Sequence, residues 1–497
     1  MAAPVEGGVD DPRRDGDLEP VGAATEFRQG SGNRLTLMVL CLASLIAVVD
    51  ITIVSIALPA IRRELGFSAP GAQWILNGYA LVFGGLLLLF GRVGDLWGRR
   101  RLFVAGLASF AVAALVGGFA WEPWILVAAR CLQGAAAAAF VPASLSLLTT
   151  AFAEGEERNR AIGVYGAMAA LGFVVGMVGG GIITEFLGWR WVMFVNVPLA
   201  LAALLPAHRA VAESRDQNAS RTVDLIGASS LVAGLACLLY AISKVPEAGW
   251  GSATTLGFTT MGFVLLIVFA STERRVTAPL VPLPILATRA VVVPNAAIFL
   301  QSMVGIAWLY ALTIYFQEVL GFGPLTAGLL FLPMTLASVV AASAAGRLTT
   351  RAGVKSTAAA GLLMVVLGVL LMTSMGSEDG LPFVISGMVI GEAGFMLSSV
   401  PLTIAGSTGT GEQGRGLSAG LVNTATQLGN AVGLGVVASV AASAAATLAS
   451  NQTSTIQAVL AGLRWGLLAC AIFAVLALAV VLLGLPSKEG QQRGRSK

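Results

Sequence analysis

The sequence is short of the residues that carry enzymatic and metal-binding chemistry. It has one histidine, His208, and four cysteines in 497 residues, and no two cysteines form a C-x-x-C pair. A metal centre or a disulfide framework is therefore not expected. Charged residues make up only 11% of the chain, whereas a soluble globular protein has about 25%. We expect no metal and no cofactor.

Two short patterns resemble enzyme motifs but lack the required context. Gly416–Gly420 reads G-x-S-x-G, yet the only histidine precedes it and its serine begins an apolar run. The segment after Gly346 resembles a phosphate-binding loop, but Val354 breaks the adjacent Gly-Lys that such a loop needs. The chain is therefore predicted not to be an enzyme, and any transport would need an ion gradient as its energy source.

Apolar residues are abundant and occur in long runs. They make up 56% of the chain, and the mean hydropathy is +0.84. A run of about 20 apolar residues crosses the hydrocarbon layer as a helix, and sixty glycines suit closely packed membrane helices. The predicted class is an all-α integral membrane protein with fourteen spans, at about 35–58, 74–91, 102–120, 124–149, 161–184, 190–206, 224–244, 254–271, 292–316, 325–345, 357–375, 382–405, 416–443 and 463–484.

The basic residues are distributed unequally between the two sides of the predicted array. If the N-terminus is inside, 24 of the 30 Lys and Arg residues lie in inward segments and five lie in outward ones, while Arg130 lies within a span. The positive-inside rule then predicts that both termini are cytoplasmic. The net charge of +4 thus reflects topology, and nucleic-acid binding is not expected. Residues 1–34 and 485–497 are predicted to be cytoplasmic tails, the first of them disordered.

Two pairs of similar segments indicate that the chain consists of two related halves. Gly91–Arg101, between spans 2 and 3, matches Gly346–Lys355, between spans 10 and 11, in its glycines and basic residues. Leu171–Gly176 in span 5 matches Leu428–Gly433 in span 13. Both pairs relate span n to span n+8, as in transporters built from parallel repeats. The predicted units are a six-helix half at 35–206, two inserted helices with their linker at 207–271, and a second six-helix half at 272–484.

Several motifs, taken in order, resemble one transporter family. Gly91–Arg101 (GRVGDLWGRRR) is similar to the signature between helices 2 and 3 of the major facilitator superfamily. Asp50–Pro59, Arg130–Gly134 and Trp189–Trp191 followed by Asn196–Pro198 are similar to motifs of its fourteen-helix drug:proton antiporter branch (EmrB/QacA type). The resemblance covers about residues 35–485 and implies the major facilitator fold.

The resemblance also implies an activity. A member of this branch would use inward proton movement to export small amphipathic compounds across a bacterial cytoplasmic membrane, and we expect it to act as a monomer. One departure concerns Met177, which follows Gly176 where the branch usually has proline. The direction of transport and the helix kink that proline would cause are therefore left open.

Three charged residues lie deep within predicted spans. Asp50 is the sixteenth residue of the first span, Arg130 lies in the fourth and Glu392 in the twelfth. Charges inside a membrane are costly and usually mark an ion or proton path, so all three are predicted to take part in proton coupling, with a cationic substrate sharing the two acids. The alternatives are a helix-capping role for Asp50, a structural role for Arg130 and a hydrogen bond to a neighbouring helix for Glu392.

Two further sets of residues follow from the motifs. The first is predicted to latch one side of the transporter during rocking, although its arginines also serve as topology anchors: Gly91, Asp95, Gly98, Arg99 and Arg100. The second comprises the glycines of the antiporter motif, which permit close helix contact: Gly172, Gly176, Gly180 and Gly181.

Polar and aromatic residues inside the spans are candidates for a substrate cavity. The predicted set is Asn77, Gln133, Gln301, Trp308, Tyr310, Asn423 and Gln427. For the polar members, hydrogen bonding between helices is an equally good interpretation, and the aromatic ones could instead face lipid.

Three functions remain open on the sequence. The first is proton-coupled efflux of drugs or antibiotics, because a composition rich in Ala, Gly and Arg points to a high-GC genome in which such proteins often confer resistance. The second is export of an endogenous metabolite or lipid, or uptake. The third is a membrane sensor or scaffold that has lost transport, which would not depend on Asp50.

Overall fold

The chain folds into a bundle of long helices. The computed structural model describes residues 21–153, 156–215, 224–276, 288–376, 380–408, 415–449 and 455–486, and it contains no β-strand among them. Thirteen helices there are long and apolar enough to cross a membrane, and the helix at Trp74–Trp97 passes the same test as a bent pair. The predicted all-α, multi-pass membrane fold is confirmed, with fourteen spans once the bent helix is counted.

We number the fourteen helices in chain order. Their bounds are α1 Val21–Leu65, α2 Trp74–Trp97, α3 Arg99–Gly118, α4 Pro123–Ala151, α5 Glu156–Phe186, α6 Arg190–Ala210, α7 Leu225–Ala248, α8 Ala253–Glu273, α9 Arg289–Val319, α10 Pro324–Ala352, α11 Val354–Met372, α12 Leu381–Thr408, α13 Arg415–Ala449 and α14 Thr455–Gly484. The side from which α1 enters the bundle is called the termini side, and the side of the α1–α2 connection is called the far side.

Helix α1 begins earlier than the predicted boundary between tail and span. It starts at Val21, whereas residues 1–34 were expected to be disordered, and residues 1–20 lie outside the described residues. Pro20 directly precedes the helix, and no proline follows until Pro59. Because proline is the residue that interrupts helical hydrogen bonding, the backbone can continue the span backwards to Val21.

Several helices are interrupted at positions that hydropathy does not mark. Helix α2 bends by 52° between its Trp74–Leu87 and Leu89–Trp97 segments. Helix α6 is broken at Val195, three residues before Pro198, and α10 is broken at Phe331. Helix α9 ends in a π-helical turn at Tyr315–Val319. Such turns are rare and are frequent at functional sites.

The predicted similarity between spans 5 and 13 reappears as a pair of equivalent contacts. A β-carbon on Gly176 of α5 would collide with Thr52 of α1. A β-carbon on Gly433 of α13 would collide with the backbone of Met303 in α9. Each glycine therefore allows its helix to approach the first helix of its own half at backbone distance, and the two halves use the same device.

The inserted pair α7–α8 covers a junction between the halves. Helix α7 packs against both α2 and α13, whereas α8 packs mainly against α7. Buried Leu239 of α7 lies in one cluster with Ala80 of α2 and Ala431 of α13. The Ser439 hydroxyl of α13 also donates to the Ile242 carbonyl of α7 at 3.0 Å. The α7–α8 pair thus covers the contact between α2 and α13.

Candidate functional site

The deep acid of α1 and the deep base of α4 form a buried ion pair. Arg130 Nη1 lies 2.6 Å from Asp50 Oδ2, and both side chains are fully buried. Asp50 Oδ1 accepts hydrogen bonds from Gln133 Nε2 at 3.1 Å and Asn196 Nδ2 at 2.9 Å. Both carboxylate oxygens therefore have donors from α4 or α6.

The guanidinium of Arg130 is fixed by its surroundings. Its Nη1 also donates to Gln133 Oε1 at 2.8 Å, and its Nε donates to the Ile75 carbonyl of α2 at 3.0 Å. The ring of Tyr79 lies 4.6 Å from the guanidinium carbon, in cation–π geometry. Its Nη2 is buried and has no hydrogen-bond partner among the described residues. One donor group of the cation is therefore unused.

Local helix geometry explains how these side chains meet. Gln133 follows Arg130 by three residues, so the two lie on the same face of α4. Asn196 begins the second segment of α6 immediately after the break at Val195. Asn196 was named only as part of a motif, and its contact with Asp50 was not predicted. The available signal was an amide side chain within an apolar run, which has to find a partner.

Separating Asp50 from Arg130 is energetically costly. Removing one partner of a buried ion pair typically costs about 3–5 kcal/mol, because the other charge is left uncompensated. Protonation of Asp50 would likewise remove the charge that balances Arg130.

A cavity lies beside this pair, between the two halves. It is small, with a volume of about 10 Å³, which is room for roughly one water molecule, and it is bordered by side chains of α1, α2, α4, α9 and α13. Its lining comprises Ile51, Leu76, Asn77, Tyr79, Ala80, Arg130, Ile306, Gln427, Asn430 and Leu434. Both halves therefore contribute side chains, several of them polar, to the lining of one small cavity.

Two of the seven predicted cavity residues, Asn77 and Gln427, line this space. Gln133 belongs to the Asp50 cluster instead. Gln301 of α9 donates through Nε2 to Ser398 and Ser399 of α12, which is the inter-helix role left open by the sequence.

The remaining three predicted cavity residues lie away from the space. Trp308 is buried in a hydrophobic core against Phe395, and Tyr310 is partly buried at the edge of that core. Asn423 is exposed, one helical turn before Gln427 towards the termini side. Asn423 shares a helix face with Gln427 but not its depth in the bundle, and a periodicity argument cannot fix depth.

Glu392 lies apart from the Asp50 cluster, on α12 of the second half. It is 9% exposed and has no hydrogen bond or ion pair with another described residue. The residue before it, Gly391, faces the ring of Trp308. An acid in this apolar setting has no partner that would stabilise its charge, so the predicted alternative of a hydrogen bond to a neighbouring helix has no support here.

The charges of the α2–α3 connection are paired within the connection itself and with the segment that follows α6. Arg99 Nη2 lies 2.9 Å from Asp95 Oδ1. Arg100 pairs instead with Glu213, whose Oε1 also accepts from the Arg100 backbone N–H at 3.0 Å. Glu213 was not predicted, because it lies 113 residues further along the chain. Gly98, at φ 110°, ends α2 in a conformation that favours glycine; Gly91 is exposed.

The antiporter-motif glycines lie on two faces of α5. Added β-carbons on Gly172, Gly176 and Gly180 would contact α1, whereas one on Gly181 would lie 2.6 Å from the Pro324 carbonyl of α10. Helix α5 runs unbroken from Glu156 to Phe186. Met177 therefore leaves the helix continuous where a proline would have removed a hydrogen bond.

The halves are tied together at the far side by polar contacts that sequence reasoning did not identify. Arg62 at the end of α1 donates to both carboxylate oxygens of Glu318, at 2.9 and 3.0 Å. Gln317 Nε2 donates to the Ile56 carbonyl at 2.8 Å. Both partners from α9 lie on its π-helical turn, so that turn aims two consecutive side chains at α1.

Comparisons with known proteins match most of the chain. The family model of the Major Facilitator Superfamily matches residues 40–434. The puromycin resistance protein pur8 of Streptomyces alboniger is 37% identical over 408 residues, covering 81% of this chain and 80% of that protein. The cephamycin export protein CmcT of Amycolatopsis lactamdurans is 36% identical over 405 residues, covering 81% and 83% respectively.

Solved structures agree on the fold. The crystal structure of a mutant of the nucleoside transporter NupG has a TM-score of 0.64 at 11% sequence identity, and the match covers 91% of this chain and all of that one. At this identity the likeness concerns the fold alone, and it agrees with the predicted major facilitator architecture.

Proposed function

Since the chain belongs to the major facilitator superfamily, we propose that it exports small amphipathic antibiotics from a bacterium in exchange for protons. The observation that carries the proposal is the buried Asp50–Arg130 pair beside a cavity shared by both halves. Its relatives named for puromycin resistance and cephamycin export support the antibiotic class of substrate. We place the protein in the cytoplasmic membrane, acting as a monomer, with the termini side towards the cytoplasm.

Asp50 is proposed as the principal proton carrier. While it is ionised, its carboxylate holds the guanidinium of Arg130, a cavity-lining residue whose Nη2 is unused. A proton on Asp50 cancels the negative charge and leaves Arg130 uncompensated in a medium of low dielectric constant. The cluster then has to rearrange, so occupancy by a proton and the geometry of the cavity become linked.

Alternating access would follow from rocking of the two halves about this site. The far-side contact of Arg62 with Glu318 would have to separate for release to the outside. On the termini side, the α2–α3 connection would act as the latch, with Asp95 exchanging its partner Arg99 for a group of the second half. Glu392 is proposed as a second protonation site, because its charged form has no partner among the described residues.

Two other functions make different predictions. An exporter of an endogenous metabolite or lipid would show the same proton coupling but no response to antibiotics. A sensor that has lost transport would tolerate loss of Asp50. The cost of maintaining a buried ion pair without a transport role favours the exporter.

The direct test uses inverted membrane vesicles that contain the protein and an established pH gradient. Puromycin and a set of other antibiotics are added while the gradient is followed with a pH-sensitive dye. We expect at least one compound to dissipate the gradient in wild-type vesicles and to have no effect with Asp50→Asn.

The matched control is Glu122→Gln, which neutralises an exposed carboxylate just before α4 and should behave like wild type. A wild-type protein that responds to no compound would contradict antibiotic export. An equal response from Asp50→Asn would contradict the role of Asp50.

A further inference from the structure

Four buried polar atoms without partners belong to residues that line the cavity beside Arg130. They are Asn77 Oδ1, Tyr79 Oη, Arg130 Nη2 and Gln427 Nε2, and none has a hydrogen-bond partner among the described residues. Their side chains are at most 8% exposed. Leaving such groups unpaired is costly, so these four groups are available to bond water or a ligand group that enters the space.

The orientation of these groups favours donors over acceptors. Asn430 Nδ2 donates to Gln427 Oε1 at 3.2 Å, so the Gln427 carbonyl is occupied and its amide N–H₂ is free. Arg130 uses Nη1 and Nε within the cluster and keeps Nη2 free. The free Oδ1 of Asn77 can only accept a hydrogen bond, whereas the free hydroxyl of Tyr79 can donate or accept one.

The cavity presents no negative charge to a ligand. No carboxylate of the described residues lines it. Asp50 is fully buried behind Arg130, and each of its oxygens already accepts from a donor of α4 or α6. An ammonium group entering the cavity would therefore meet the guanidinium of Arg130 with no free anion to offset it.

We propose that the cavity recognises an uncharged, carbonyl-bearing group of the substrate, such as an amide, lactone or hydroxyketone. The carbonyl accepts from Arg130 Nη2 and Gln427 Nε2, and a neighbouring hydroxyl or N–H donates to Asn77 Oδ1. Apolar walls formed by Ile51, Ile306 and Leu434 pack against the adjoining carbon skeleton. This inference rests on the proposed export function and specifies the class of its substrate.

Contributions from both halves give this recognition a mechanical consequence. Arg130 and Asn77 belong to the first half, whereas Gln427 belongs to α13 of the second half. A carbonyl that accepts from both Arg130 and Gln427 is held only while the halves keep this relative position. Protonation of Asp50 removes the carboxylate that fixes the guanidinium of Arg130 in place, so Arg130 no longer holds its donor at a set distance from Gln427, and proton and ligand compete.

The test is direct binding to the purified full-length protein in nanodiscs, without any gradient, by isothermal titration. The probes are chloramphenicol, N-acetylpuromycin, puromycin with its amine protonated, and tetraphenylphosphonium, a permanent cation without hydrogen-bonding groups. We expect the two uncharged amides to bind more tightly than both cations.

Two variants of Gln427 sharpen the result. Gln427→Leu should weaken binding of the uncharged probes by about tenfold, as expected for loss of a buried hydrogen bond. Gln427→Glu should reverse the order and favour protonated puromycin, a change that mere loss of stability cannot produce. Gln301→Leu removes an amide that donates a hydrogen bond to Ser398 of α12. It is the control and should leave the order of affinities unchanged.

The outcomes separate this inference from the proposed function. Tighter binding of the cations to wild type, or no binding of either uncharged probe, overturns the inference even if proton exchange is observed in vesicles. A preference for the uncharged probes together with failure of the vesicle test contradicts proton-coupled export and leaves the assignment of the cavity intact.

Discussion

Asp50 is held by three donors from two helices, and its position shows how one acid can be tolerated in the middle of a membrane protein. Arg130 balances its charge, while Gln133 and Asn196 occupy the remaining oxygen. Such a group is stable only as long as its partners remain. The same dependence makes it responsive, because one proton changes the charge of the whole cluster.

A stability measurement can isolate the pair. Arg130→Gln should lower the free energy of unfolding by about 3–5 kcal/mol, because Asp50 would remain buried without its cation. The double variant Asp50→Asn/Arg130→Gln should recover part of this loss. Thermal unfolding of purified variants in detergent measures both. A double variant that is no more stable than Arg130→Gln would contradict the argument.

The residues of the site were predictable from sequence only in part. Asp50 and Arg130 were found because a charge in an apolar run is conspicuous, and Gln133 because it lies one turn from Arg130. Asn196 and Glu213 were missed because their partners are distant in the chain. Their roles depend on which helices become neighbours, and no local pattern states that.

At the level of helices, glycine placement sets how closely the bundle packs. Gly176 of α5 and Gly433 of α13 allow equivalent approaches to α1 and α9. The pair of similar segments that contains these two glycines predicted a relation between the halves, and the contacts explain why the same residues recur. A side chain at either position would push two helices apart.

Substitution of these glycines should destabilise the bundle. Gly176→Val and Gly433→Val are each expected to cost about 1–3 kcal/mol through overpacking, seen as a lower midpoint of thermal unfolding. Gly163→Ala is the control, because a β-carbon there meets nothing within 4 Å. Variants at 176 and 433 that unfold like this control would disprove the close-contact explanation.

The helices themselves were predictable because each apolar run is long enough to span a membrane. The bends and breaks within the helices were not predictable from hydropathy. The bend of 52° in α2 and the π-helical turn at Tyr315–Val319 leave no mark on hydropathy. The break in α6 at Val195 is the exception, since Pro198 lies three residues after it and proline is a sequence signal for a helix interruption.

At the scale of the whole molecule, polar contacts hold the two halves together at the far side. Arg62 and Glu318 join α1 to α9 at the far side, and the Leu325 backbone N–H of α10 donates to Glu185 of α5.

The far-side ion pair should govern opening on that side. Its side chains are 33% and 25% exposed, so it should contribute at most about 1 kcal/mol. Glu318→Gln should therefore speed labelling of a cysteine placed by Ile56→Cys, now fully buried, by roughly two- to fivefold. The native cysteines are first replaced by serine or alanine. Glu122→Gln, an exposed far-side control, should have no effect, and an unchanged rate with Glu318→Gln would refute the gate.

Coupling through Asp50 is the central claim, and proton release by the purified protein tests it most directly. An antibiotic that wild type binds is added to weakly buffered protein, and the pH change is recorded for wild type, Asp50→Asn and Glu392→Gln. We predict that binding releases protons from wild type and from Glu392→Gln, and that Asp50→Asn binds the compound without releasing them. Equal release from Asp50→Asn and wild type would contradict the account.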